Sequence, residues 1–184
     1  MDEIRSSLRE RYAEPHRRYH DVRHLDEVLA AVDLLAAEAG NLDAVTWAVW
    51  LHDAVYEVGS ADNEEQSALL AEQLLPEPFA HEVARLVRLT ATHKPAPGDV
   101  DGAVLCDADL HILAADERRY AEYAADVRAE YAAVDDTDFA TGRAALLAAL
   151  LTGPIFHTPT GRRLWEQRAR DNVSAEIRRL RDQP

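Results

Sequence analysis

His52 and Asp53 stand side by side in "WAVWLHDAVY" (47–56), a stretch that is otherwise almost wholly apolar. An imidazole and a carboxylate persist in such surroundings only when hydrogen-bonded, ion-paired or bound to a metal, because an unpartnered buried charge costs several kcal/mol. The dipeptide alone says little: with 8 His and 18 Asp in 184 residues, composition yields about one such pair by chance. Its possible partners add weight. Upstream, His20 and His24 are spaced i, i+4 and share a helical face, so either can meet His52 across a helix contact. Downstream, "LCDADLHIL" sets Asp107 and Asp109 among apolar residues, and His93 ends the segment between. A lone His on a helix is more often structural than a ligand, and a lone Asp is more often a cap. Four such anomalies on four segments are harder to assign to packing.

Two imidazoles and two carboxylates make a mixed N/O site without sulfur, suited to one divalent ion (Mn, Fe, Co, Ni, Zn or Mg) with positions left for water. Such an ion lowers the pKa of bound water and offsets charge on a phosphoryl group, which is the chemistry of phosphate-ester hydrolysis. The competing explanation is a buried set of ion pairs in an interaction scaffold.

Helical periodicity dominates the elements that must position these residues, and no alternating strand occurs. The expected fold is all-α, a compact multi-helix bundle with the metal site between helices, in a single domain over 1–184. A short first helix ends before Pro15, and "HDVRHLDEVLAAVDLLAAEAG" is stopped by Gly40. "LDAVTWAVWLHDAVYEVG" is apolar nearly all round and predicts a buried central helix running to Gly59, with His52 and Asp53 inside it. Asn63 is expected to cap "EEQSALLAEQLL", and Pro76 and Pro78 then break the chain. "FAHEVARLVRLTATH" is an amphipathic helix closed by "KPAPG". Helices are also expected in "AVLCDADLHILAA", "ERRYAEYAADVRAEYAAV", "FATGRAALLAALL" and, as one unit, "GRRLWEQRARDNVSAEIRRL".

Composition narrows the function. Hydrophobic residues make up 47% of the chain, ample for a packed core. The lone Cys106 excludes an internal disulfide and a cysteine zinc site. "MDEIRSSLRERY" lacks a signal-peptide core and no run approaches the roughly 18 apolar residues of a membrane span, so a soluble cytoplasmic protein with no membrane partner is expected. The net charge of −14 disfavours long nucleic acids, leaving a small phosphorylated substrate such as a nucleotide. The Arg-rich stretches "HRRYHDVRH" and "GRRLWEQRAR" offer one phosphate a contact, although Arg on a solvated helix face is commoner. Oligomeric state and the identity of the ion are not written in the composition.

The order His24, then "HD" at 52 and 53, then an Asp in "DADL", resembles the HD-domain superfamily of metal-dependent phosphohydrolases. "EPHRRYHDVRHL", "WLHDAVYEVGSADNEEQSA", "LCDADLHIL", "YAEYAADVRAEY" and "ARDN" resemble its subgroup of small predicted HD phosphohydrolases, over essentially the whole chain. The resemblance implies metal ligation by His24, His52, Asp53 and an Asp of "DADL". His24 is favoured over His20 by its "HLDEV" context, and Asp109 over its rival Asp107 by "ADL". Two residues apart on a helix point about 200° from one another, so both acids do not ligate one ion. The family implies that Asp53 also orients the attacking water. Where many relatives carry a His for a second metal, this chain has Asn63, which weakens a two-metal site, although Glu64 could act through water. His20 and His93 are then expected as catalytic or phosphate-facing groups or else as structural ones, with Lys94, Arg128 and Arg143 as candidate substrate contacts against a solvated loop for the lysine and ion pairing with the many acids for the arginines. Tyr120, Tyr123 and Tyr131 have a spacing that fits packing as well as stacking on a base, and Arg170 and Asn172 are expected to dock the last helix. The alternative function is a non-catalytic nucleotide-binding or sensing helical module with a structural metal.

Overall fold

The computed structural model describes residues 1–182, which form ten α-helices and no strand. In chain order these are α1 (Asp2–Tyr12), α2 (Val22–Leu35), α3 (Leu42–Leu51), α4 (Asn63–Leu74), α5 (Phe79–Leu89), α6 (Val100–Leu110), α7 (Glu117–Glu130), α8 (Asp136–Leu150), α9 (Pro159–Leu164) and α10 (Glu166–Arg181). Tight 3-10 turns extend α2 over Ala36–Glu38 and α6 over His111–Ala114. Starts are set locally. Asp21, Asn41, Asp99, Asp116, Asp135 and Thr158 each accept first-turn backbone N–H groups of the helix that follows, satisfying donors with no partner inside the helix. Among the described residues no helix is long and apolar enough to cross a membrane.

The apolar residues gather in two cores. The first joins α1 to α6 around Leu8, Tyr12, Leu25, Val28, Val45, Leu51, Leu86 and Leu105. The second joins α7, α8 and α10 to the chain around Tyr19, Leu113 and Phe156. Trp165 packs against both. The C-terminal segment is accordingly two helices, α9 and α10, divided at Trp165, where one continuous helix was expected. Arg170 donates to the carbonyls of Gly153 and Leu151, and Asn172 to those of Leu113 and Ala115, docking α10 on the second core.

Three further boundaries depart from the sequence reading, and tertiary contacts account for two of them. α3 stops at Leu51 instead of running to Gly59. The hydroxyl of Tyr12 lies between the Val49 carbonyl (3.3 Å) and the Asp53 N–H (3.2 Å), taking the place of one i to i+4 helical hydrogen bond. Buried Arg17 then donates to the carbonyls of Asp53 (2.7 Å) and Ala54 (3.4 Å), so the helix end is capped from outside rather than by further turns. Asn63 is the first residue of α4 and not its cap: its amide pairs both ways with the Glu57 backbone and pins the turn after Asp53. α5 ends at Leu89, and the chain turns so that His93 takes a φ of 51°, a left-handed conformation uncommon outside glycine and asparagine.

Candidate metal centre

His24 is carried on the first turn of α2, where the Asp21 cap fixes the backbone; His52 and Asp53 occupy the end of α3, and Asp109 the last turn of α6. These four residues converge. The two Nε2 atoms of His24 and His52 lie 3.0 Å apart. Asp53 Oδ2 stands 3.4 Å from His24 Nε2 and 3.2 Å from His52 Nε2, and Asp109 Oδ1 stands 3.3 Å and 3.6 Å from the same atoms. His24, His52 and Asp109 form a cluster able to hold a metal ion, their ligand atoms all within 4.8 Å of one another.

The spacing fits such an ion. Atoms about 2.1 Å from a shared ion stand about 3.0 Å apart at octahedral right angles and about 3.4 Å apart at tetrahedral ones. The chemistry of the donors points the same way. His52 Nδ1 lies 2.8 Å from the Val49 carbonyl, which can only accept, so Nδ1 carries the proton and Nε2 presents a lone pair. That lone pair faces a second imidazole nitrogen and two carboxylate oxygens, and a neutral pair of imidazoles supplies at most one hydrogen among these four atoms. Burial would push both imidazoles down, but Asp53 and Asp109 outweigh it and hold His24 above its ordinary pKa and His52 well above. Burial would likewise raise the two carboxyls, and the imidazoles hold both well below.

The imidazoles are 3% and 1% exposed whereas the two carboxylates retain 14% and 13%, so the acids line the side open to solvent. Two further His–carboxylate pairs flank the set. His93 Nε2 lies 2.8 Å from Asp109 Oδ2, the oxygen not turned to the imidazoles, and so orients that carboxylate. His20 Nδ1 lies 2.7 Å from Glu130 Oε2, and its ring stacks on Tyr56.

Other candidates stand elsewhere. Asp107 is withdrawn as a ligand. Two residues before Asp109, it faces the other way, fully buried, and accepts from His157 N–H, Thr158 N–H and Thr158 Oγ1 at 2.7–2.8 Å. It holds the loop entering α9, and a Cβ on Gly161 would collide with its carboxylate. Arg143 is not a free anion contact: its guanidinium is spent on Glu176 (3.0 Å) and the Tyr123 hydroxyl (2.6 Å). Nor is Arg128, which binds Asp136 and caps the end of α7 through the carbonyls of Tyr131 and Val134. Lys94 is exposed and makes no ion pair among the described residues. Glu64 adds no ligand atom to the cluster, and the Asn63 amide is engaged with the Glu57 backbone. Tyr120 donates to Glu176 and Tyr131 packs near Phe139, both in structural roles, while Tyr123 supports Tyr19, whose ring packs on His24 at 4.8 Å.

Sequence reasoning missed Tyr12, Arg17, Tyr56 and Glu130. Each acts on a residue 36 or more positions away, and no local spacing signals such a contact. Comparison with protein-family models, curated proteins and solved structures returns no match for this chain.

Proposed function

We infer that the protein is a divalent-metal-dependent phosphohydrolase of the HD-domain type, acting on a small phosphate ester such as a nucleotide. The observation that carries this reading is the cluster of His24, His52 and Asp109, able to hold a metal ion, with Asp53 Oδ2 standing 3.4 Å and 3.2 Å from the two imidazole Nε2 atoms. His24, His52, Asp53 and Asp109 would hold the metal, which when bound supplies Lewis acidity towards water and phosphoryl oxygen. Asp53 is placed to do more than ligate. Its carboxylate is on the partly exposed side, where it can accept a hydrogen bond from water and orient it for in-line attack. That open side also favours turnover over a closed structural site, which would leave no position for substrate. The net charge of −14 keeps long polyanions away, while a single phosphate meets a local field set by the ion.

The test is elemental analysis of untagged wild type beside a His52→Ala/Asp53→Ala variant, followed by a metal-supplemented panel of phosphate esters. About one transition metal per wild-type chain, none in the variant, and metal-dependent release of phosphate are expected. Full activity in metal-free protein, or no metal uptake from Mn²⁺, Fe²⁺ or Zn²⁺, would defeat the reading. Tight nucleotide binding without any product under every metal would replace it with the sensing module.

A further inference from the structure

Glu130 ends α7, 110 residues from His20, and its carboxylate closes against the loop that leads into the candidate metal cluster. Oε1 accepts the backbone N–H groups of Arg18 (2.9 Å), Tyr19 (2.9 Å) and His20 (3.0 Å). Oε2 accepts from His20 Nδ1 (2.7 Å) and the Tyr56 hydroxyl (2.8 Å). Holding a fully buried acid with five donors is more than the loop needs for packing alone, since the three amides already anchor it. The second oxygen instead fixes a ring. His20 lies face to face on Tyr56 at 4.3 Å and edge-on to His24 at 5.7 Å, which leaves it no freedom to flip without losing the carboxylate. With Nδ1 committed, Nε2 is the remaining polar atom of the ring. It has no partner among the described residues, and the side chain keeps 25% exposure beside the cluster.

We propose that Glu130 is a positioning residue: it fixes His20 with Nδ1 as donor, so that Nε2 is the ring atom whose lone pair is presented to the substrate, where it accepts a hydrogen bond from a P–OH group such as that of hydrogen phosphate. This rests on the phosphohydrolase reading for the substrate and on geometry for the ring. His20 is then a substrate contact and Glu130 acts only through it.

The experiment is calorimetric titration of Mn²⁺-loaded protein with inorganic phosphate, for wild type, His20→Ala, Glu130→Gln and the double variant. All four should bind Mn²⁺ alike. Phosphate affinity should fall about tenfold in either single variant, and the double variant should bind no more weakly than His20→Ala. An unchanged affinity in His20→Ala, or a loss on Glu130→Gln that persists in the His20→Ala background, would overturn the proposal. A second measurement needs neither variant nor metal: ¹⁵N NMR of wild-type His20 should give the Nδ1–H tautomer, and an Nε2–H tautomer would show that Glu130 does not set the ring. Failure to bind Mn²⁺ at all would sink the phosphohydrolase reading and the phosphoryl contact with it, whereas the tautomer would still decide whether Glu130 holds His20.

Discussion

Two buried polar clusters in this molecule solve the same problem in opposite ways. In the second core, Arg143, Glu176, Tyr120 and Tyr123 match donor to acceptor: guanidinium to carboxylate and hydroxyl, hydroxyl to carboxylate. One positive charge meets one negative charge, and the set is complete as it stands. Where α2, α3 and α6 meet, His24, His52, Asp53 and Asp109 bring two imidazole nitrogens and two carboxylate oxygens together with fewer hydrogens than acceptors unless a proton or a metal ion joins them. Both clusters bury charge, so burial and shifted titration do not separate architecture from site. Complementarity does. A set that satisfies itself is complete as fold, whereas a set short of hydrogens could hold a cation.

The comparison breaks first where α2, α3 and α6 meet. Wild type is expected to gain thermal stability on adding Mn²⁺, by about 2.7 kcal/mol when the free ion reaches 100 times its dissociation constant. Asp109→Ala and His52→Ala should lose that gain entirely, measured by scanning calorimetry with and without the ion. Arg143→Met should show the reverse pattern. It leaves Glu176 buried without its cation, at a cost of about 3–5 kcal/mol, while the Mn²⁺-dependent increment stays intact. Arg143→Met/Glu176→Leu should recover part of that loss, since it removes both charges and leaves only the Tyr120 and Tyr123 hydroxyls without their partners. A Mn²⁺ increment that also vanished in Arg143→Met would show that the two clusters are one system.

Glu130 sharpens the contrast, because it is complete like the second cluster but bonded to a residue beside the first. Burial would raise its pKa, but the hydrogen bonds from His20 and the loop amides prevail and bring it from 4.5 down to about 2. Its carboxylate therefore contributes its full stabilisation above about pH 4.5, and loses it as the pH falls towards 2. Glu130→Gln should cost about 2–3 kcal/mol near neutrality by chemical denaturation, and the gap to wild type should narrow progressively below pH 4.5. A gap that stayed constant from pH 6 to pH 3 would mean that the amide replaces the carboxylate in kind.

The sequence made the all-helical class legible because period and caps are local signals, and the same locality exposed His52 and Asp53 as out of place in an apolar run and marked His24 by its i, i+4 spacing from His20. Asp107 and Asp109 show where that stops. Both sit in one apolar stretch, and the helix geometry says only that they face apart; which one meets the imidazoles depends on how α6 is rotated against α2 and α3. For Arg128 and Arg143 the sequence favours ion pairing over an anion contact, but it does not single out Asp136 and Glu176, ordinary acids in a chain full of them, as the partners. The end of α3 was hidden for another reason. Propensity favours a helix running through "WLHDAVYEVG", and it is one hydroxyl from α1 that interrupts it.

That hydroxyl supplies the smallest and most discriminating test. Tyr12 lies in the first core with 0% exposure, donates to the Val49 carbonyl and accepts from the Asp53 N–H, and Val49 is also the residue that fixes the tautomer of His52. Tyr12→Phe keeps the ring and its packing but leaves the Asp53 amide without its acceptor, a loss of about 1–2 kcal/mol in stability. Were the hydroxyl only a piece of packing, nothing more would follow. Because it sets where α3 ends, it also sets how Asp53 is aimed, so Mn²⁺ affinity should fall about tenfold in the same variant, as it does when the partners of metal ligands are removed elsewhere. Loss of stability with unchanged Mn²⁺ affinity would assign Tyr12 to the fold; loss of both would place the outer support of the cluster in α1, an element that contributes no ligand of its own.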